Sequence, residues 1–191
     1  MAGPKLFDVG DGALWIWEEP EAGRTYDIGA DPALGVEGGD NSAIQVLDRA
    51  TGRQVAEYLA NVEFTQFKDI LYWLGRHYNT AQIAVEINAG GGGVWINKEL
   101  SQDYPNVYID RRRDTVAPTF TTKTGWLTSK WSKEYAVNAA KTRVYRYCTS
   151  DEKERFPLIR SQRLFDEMRN FVIVGGMEQY GAAPGGSRPW S

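Results

Sequence analysis

Residues 64–87 read FTQFKDILYWLGRHYNTAQIAVEI, and this stretch decides the fold. Phe64, Phe67, Leu71, Leu74 and Tyr78 recur at intervals of 3, 4, 3 and 4, which lays one apolar stripe along a helix closing near residues 75–79. The apolar run 82–87 (QIAVEI) then reads as a short buried strand. A strand reached through a helical crossover runs parallel to an earlier strand of its sheet.

Earlier strands precede it. Residues 13–18 (ALWIWE), 24–30 (RTYDIGA), 42–47 (SAIQVL) and 53–59 (RQVAEYL) have strand character, with turns at 19–23 and 48–52 and a glycine-rich loop at 32–39. Successive strands on such short loops imply an antiparallel meander. Downstream, a glycine cluster at 90–93 precedes a helix over 94–101. A further strand at 104–109, a hairpin-like excursion at 117–127 and helices at 132–145 and 161–171 follow, and 181–191 read as coil. Strands first, then alternating helices and strands, imply an α/β fold with a mixed central sheet flanked by helices. No internal repeat and no long linker divides the chain, so one domain over 1–191 is expected, with 1–12 as a lead-in.

Composition narrows the chemistry. In 191 residues there are 7 tryptophans and 13% aromatics, which excludes a disordered chain. The single cysteine, Cys148, excludes an internal disulfide and a Cys-built zinc site, and it reads as a buried small residue. The single histidine, His77, leaves no Ser/His/Asp triad and suits a capping or surface role. No apolar run approaches membrane-spanning length and no signal peptide opens the chain, so a soluble, intracellular domain is expected. The net charge of −3 hides an asymmetry: residues 104–191 carry 15 Lys and Arg against 9 Asp and Glu. The densest basic stretch, 111–146, holds Arg111, Arg112, Arg113, Lys123, Lys130 and Lys133 among hydroxyls and aromatics. That mixture suits a surface tracking phosphates, and equally the solvated faces of a hairpin and a helix.

Three acids stand out in the acidic half. Asp31 ends an apolar strand before Pro32, and Glu86 interrupts the apolar crossover strand. If the two strands are parallel neighbours, both carboxylates project at one end of the sheet. Such a pair requires a raised pKa or a shared cation, and oxygen-only ligands favour Mg²⁺ or Mn²⁺ over zinc. Asp40 enters the next strand and lies close in sequence to that end. An Asp-Pro turn, a loop aspartate and an exposed strand glutamate are the structural roles these residues equally fit. No GxxxxGK[ST] occurs, so an intact Walker-type ATPase is absent from this chain.

In order, these pieces resemble the C-terminal nuclease domain of the large terminase subunit of tailed bacteriophages. The matching residues are Tyr26 to Ala33 (YDIGADPA), Gly39 to Ile44 (GDNSAI) and Val85 to Asn88 (VEIN) with its glycines. Tyr104 to Tyr108 (YPNVY), Gly125 to Thr128 (GWLT) with Lys133, Leu164 to Met168 (LFDEM) and Phe171-Val172 continue the pattern. The resemblance implies a ribonuclease H-like fold and a DNA endonuclease that cuts concatemeric double-stranded viral DNA by two-metal hydrolysis. It implies Asp31 and Glu86 as catalytic metal ligands, Asp40 as an auxiliary acid, and two Mg²⁺ or Mn²⁺ ions. The terminase ATPase, N-terminal to an excised domain, the small terminase subunit and the portal are the implied partners, in the host cytoplasm. At the C terminus the pattern departs: where the family carries its third acid, this chain reads Ser187-Arg188-Pro189-Trp190-Ser191, with no carboxylate beyond Glu178. A non-catalytic DNA-binding or motor-docking module of the same fold is therefore the alternative.

Overall fold

The computed structural model describes residues 5–8, 12–88, 92–113, 120–150, 158–174 and 179–182. A six-stranded sheet forms the centre, built from β1 (Lys5–Asp8), β2 (Gly12–Ile16), β3 (Tyr26–Asp31), β4 (Ser42–Asp48), β5 (Gln54–Ala60) and β6 (Gln82–Val85) in the order β1-β2-β5-β4-β3-β6. The meander β3-β4-β5 is antiparallel, and α1 (Phe64–His77) crosses over to place β6 parallel to β3, with Ile28 opposite Ile83 and Ala30 opposite Val85. Residues 5–8, expected as lead-in, form a strand on β2. The 13–16 strand pairs not with β3, its sequence neighbour, but with β5. β5 thus lies between β2 and β4, and six of its seven residues are buried.

One face of the sheet is apolar. Ile28, Ile44, Val46, Tyr58, Ile83 and Val85 meet Phe67, Leu71 and Leu74 of α1 and Ile96 and Leu100 of α2 (Gly93–Asp103). Burying each of these side chains contributes about 1.5–3 kcal/mol. The opposite face is polar. The Gln54 amide donates to Gln45 at 2.6 Å and accepts the N–H groups of Arg160 and Ser161 at 2.7 and 2.9 Å, which ties residues 158–161 across the strands.

Beyond α2 the chain adds two hairpins and two helices. The expected hairpin excursion is formed by β7 (Ile109–Arg113) and β8 (Phe120–Thr124), so it starts earlier in the chain than 117–127, and the separate strand expected at 104–109 is absent among the described residues. Pro105 cannot join a ladder, and of residues 104–108 only Val107 bridges to Ile83. α3 (Lys130–Cys148) and α4 (Gln162–Arg169) follow, then the hairpin of β9 (Phe171–Val174) and β10 (Gln179–Ala182). Residues 171–174 and 179–182 thus replace the end of the expected 161–171 helix and the start of the expected coil. Cys148 is exposed rather than buried, because it closes a helix whose only buried residue is Ser132. His77 fits the surface role, stacked on Trp73 and bonded to Glu19 at 3.1 Å.

Candidate metal centre

β3 stops where its sequence dictates. Pro32 offers no N–H to a ladder, and the strand ends with Asp31 opposite Ala43 of β4. Beyond it, the buried Ser42 hydroxyl accepts the N–H of Ala33 at 2.9 Å, closing the loop that carries Asp40. On the neighbouring strand, the N–H of Glu86 donates to the Ala30 carbonyl at 2.8 Å. That rung extends the parallel ladder past Val85. Asp31 and Glu86 then follow buried Ala30 and Val85 by one residue, so alternation turns both away from the apolar core.

Facing Glu86, the Asp31 carboxyl is pushed up from 3.8 to about 7. Loss of surrounding water is the first cause, the charge of Glu86 the next, and the charge of Asp40 the last. Two like charges at this separation hold a proton between them or take up a cation. Asp40 acts on the pair through its field. Among the described residues no three His, Cys, Asp or Glu side chains gather into one ligand set.

Close packing fixes Glu86. A Cβ on Gly93, the first residue of α2, would sit 1.8 Å from the Glu86 carbonyl oxygen. Gly125 adopts φ +88, and a Cβ there would meet Ile87 at 2.5 Å. Between them the chain forms one more rung on each side of Glu86: Trp126 N–H to Val85 at 2.8 Å and Ile87 N–H to Trp126 at 2.9 Å. Asn88, to which the sequence reading gave no role, donates its amide to Glu86 Oε1 at 2.7 Å. Its signal was the spacing, since residues two apart on an extended chain share a side.

A family model described as the terminase RNaseH-like domain matches residues 28–187. The chain belongs to that family. Its fold is also that of solved terminase nucleases. The large terminase nuclease from thermophilic phage G20c with bound cobalt is 19% identical, with a TM-score of 0.62 over 95% of this chain and 82% of that one. The same nuclease with bound magnesium gives 19% and 0.62 over 96% and 84%. The Thermus phage P74-26 large terminase nuclease domain gives 21% and 0.56 over 86% and 70%. No curated protein matches the chain.

In this terminase RNaseH-like domain the expected basic residues are spread over the β7–β8 hairpin and the start of α3 and do not form one face. The β7–β8 hairpin is rooted at β6, through Tyr108 N–H to Ile83 at 2.8 Å and Gly125 N–H to Tyr108 at 2.9 Å. Arg111 pairs with Thr122 and Asp110 with Lys123, so Arg111 and Lys123 lie on opposite faces of the hairpin. Arg112 and Arg113 belong to β7 by their backbone, and their side chains lie outside the described residues. Lys130 and Lys133 occupy the first turn of α3. The glycines at 90 and 91 and the ending from 183, where the family resemblance expects a third acid, lie outside the described residues as well. No described helix is long and apolar enough to cross a membrane.

Proposed function

We propose that this terminase RNaseH-like domain is a metal-dependent endonuclease that cuts double-stranded DNA for viral packaging. One observation carries the reading: the parallel register of β3 and β6, continued by the Glu86 N–H on the Ala30 carbonyl at 2.8 Å, brings Asp31 and Glu86 together at the strand ends, where each carboxyl raises the cost of charging the other. A hard, oxygen-only donor pair that repels itself without a counter-charge fits a divalent cation, and Mg²⁺ or Mn²⁺ in particular. Asp31 and Glu86 would hold the ions, with Asp40 as an outer acid on the same loop cluster. Bound there, two such ions would supply activation of the attacking water and stabilisation of the leaving 3′ oxygen.

The chain's own residues do the rest. Arg111, Lys123, Lys130 and Lys133, with Arg112 and Arg113, would neutralise phosphates of the duplex without reading bases. Lys130 and Lys133 at the N-terminal turn of α3 add cations to the positive end of a helix dipole. That placement costs stability and concentrates positive potential at the start of α3, which suits a phosphate backbone. The terminase ATPase, the small subunit and the portal are the partners this role requires, in the host cytoplasm.

The second reading, a non-catalytic DNA-binding or docking module, draws on the absence of a three-acid set among the described residues. Supercoiled-plasmid cleavage in Mg²⁺, Mn²⁺ and EDTA separates the two. Nicking that needs metal and disappears in Asp31→Asn and Glu86→Gln is expected. A folded chain that binds plasmid and leaves it intact in both metals would establish the module instead.

A further inference from the structure

We infer that Asn88 is the positioning residue that presents Glu86 to the cation, an inference resting on the metal-centre reading above. The Asn88 amide faces two groups that are not interchangeable. Its Nδ2 donates to Glu86 Oε1 at 2.7 Å, and its Oδ1 accepts the Thr128 N–H at 3.0 Å. A backbone N–H can only donate and a carboxylate can only accept, so a flipped amide would lose both bonds. Thr128 therefore fixes which end of Asn88 faces Glu86.

The anchor is itself held. Ser129 and Ser132 cap α3 reciprocally, with N–H to hydroxyl distances of 2.8 and 3.2 Å. The Ser132 hydroxyl, in a residue 2% exposed, also donates to the Leu127 carbonyl at 2.9 Å. Residues 127–129 thus form a fixed bracket from which Asn88 reaches the acid pair.

The effect falls on a flexible carboxylate. Glu86 has one more rotatable bond than Asp31 and is only half-buried. Asn88 holds one of its oxygens and leaves the other for Asp31 or a cation. A neutral amide does this without competing for the site, whereas Lys or Arg at position 88 would occupy it as a counter-charge. Outer-shell hydrogen bonds of this kind are worth about 10–100-fold in metal affinity.

The test is an Mn²⁺ titration of the full chain by calorimetry and thermal shift, comparing wild type, Asn88→Ala, the similarly sized Asn88→Leu, and Glu86→Gln. Half-saturating Mn²⁺ should rise about tenfold or more in both Asn88 variants, with melting in EDTA far less affected. A purely structural role would lower the melting temperature in EDTA and leave half-saturation at the wild-type value. That pattern, in either folded variant, overturns the assignment. A wild-type chain with no Mn²⁺ response overturns the metal centre and Asn88's role together, a result distinct from failure of the variants alone.

Discussion

The N–H of Glu86 donates to the carbonyl oxygen of Ala30 at 2.8 Å, and that one rung seats Glu86 beside Asp31. Everything proposed for the site depends on it. A one-residue slip of β6 against β3 would send Glu86 to the opposite face, into the apolar core.

The acid pair makes stability depend on pH. Folding raises the Asp31 carboxyl from 3.8 to about 7, so the folded chain binds this proton more tightly than the unfolded one. The favourable contribution is complete below 3.8 and is lost as pH rises through about 7. In EDTA, the melting temperature of wild type should fall across that window relative to Asp31→Asn, which lacks the titrating group. Parallel pH profiles for the two proteins would contradict the pairing.

Gly93→Ala should impair the site without touching an acid. The new Cβ would lie 1.8 Å from the Glu86 carbonyl oxygen, so α2 or the end of β6 must move. A loss of about 1–3 kcal/mol is expected from such overpacking, together with weaker Mn²⁺ binding, read by denaturant unfolding and calorimetry.

Asp48 supports the fold away from the chemistry. It is 1% exposed, accepts the N–H groups of Ala50 and Thr51 at 2.8 and 3.0 Å, and pairs with Arg24 at 2.6 Å. Burial pushes its carboxyl up, but these N–H donors and the guanidinium outweigh burial and hold it below 3.8. Its contribution is therefore present above that value and lost as the pH falls through its folded value. Asp48→Ala should cost about 2–4 kcal/mol and leave the Mn²⁺ half-saturation of the folded protein unchanged.

The basic arm is tested by salt. Each phosphate contact removed should lower the slope of log affinity against log salt by about 1. Arg111→Ala, Lys123→Ala and Lys130→Ala should each do so for duplex DNA of any sequence, measured in EDTA by fluorescence anisotropy. Because Arg111 and Lys123 lie on opposite faces of the hairpin, an unchanged slope in one of them would identify the face turned away from DNA.

Local periodicity made the crossover and its flanking meander readable, and with them the convergence of Asp31 and Glu86. The 3.6-residue stripe through Phe67, Leu71 and Leu74 and the apolar run before Glu86 are decided within a few residues. The partner of β2 was not readable, because pairing with β5 rather than β3 is a long-range choice made only in the assembled sheet. Cys148 shows the same limit: its type favours burial, but the loose packing of α3 decides its exposure. Asn88 was visible as a residue without a role, since the N–H that orients it comes from Thr128, forty positions away.

The most direct measurement is an anomalous difference map from crystals of the wild-type chain soaked in Mn²⁺ near pH 8, beside identically treated Asp31→Asn crystals. A peak within coordination distance of both Asp31 and Glu86, absent in the variant, is the result expected. Ordered, well-resolved carboxylates at these two positions with no peak between them would contradict the metal centre.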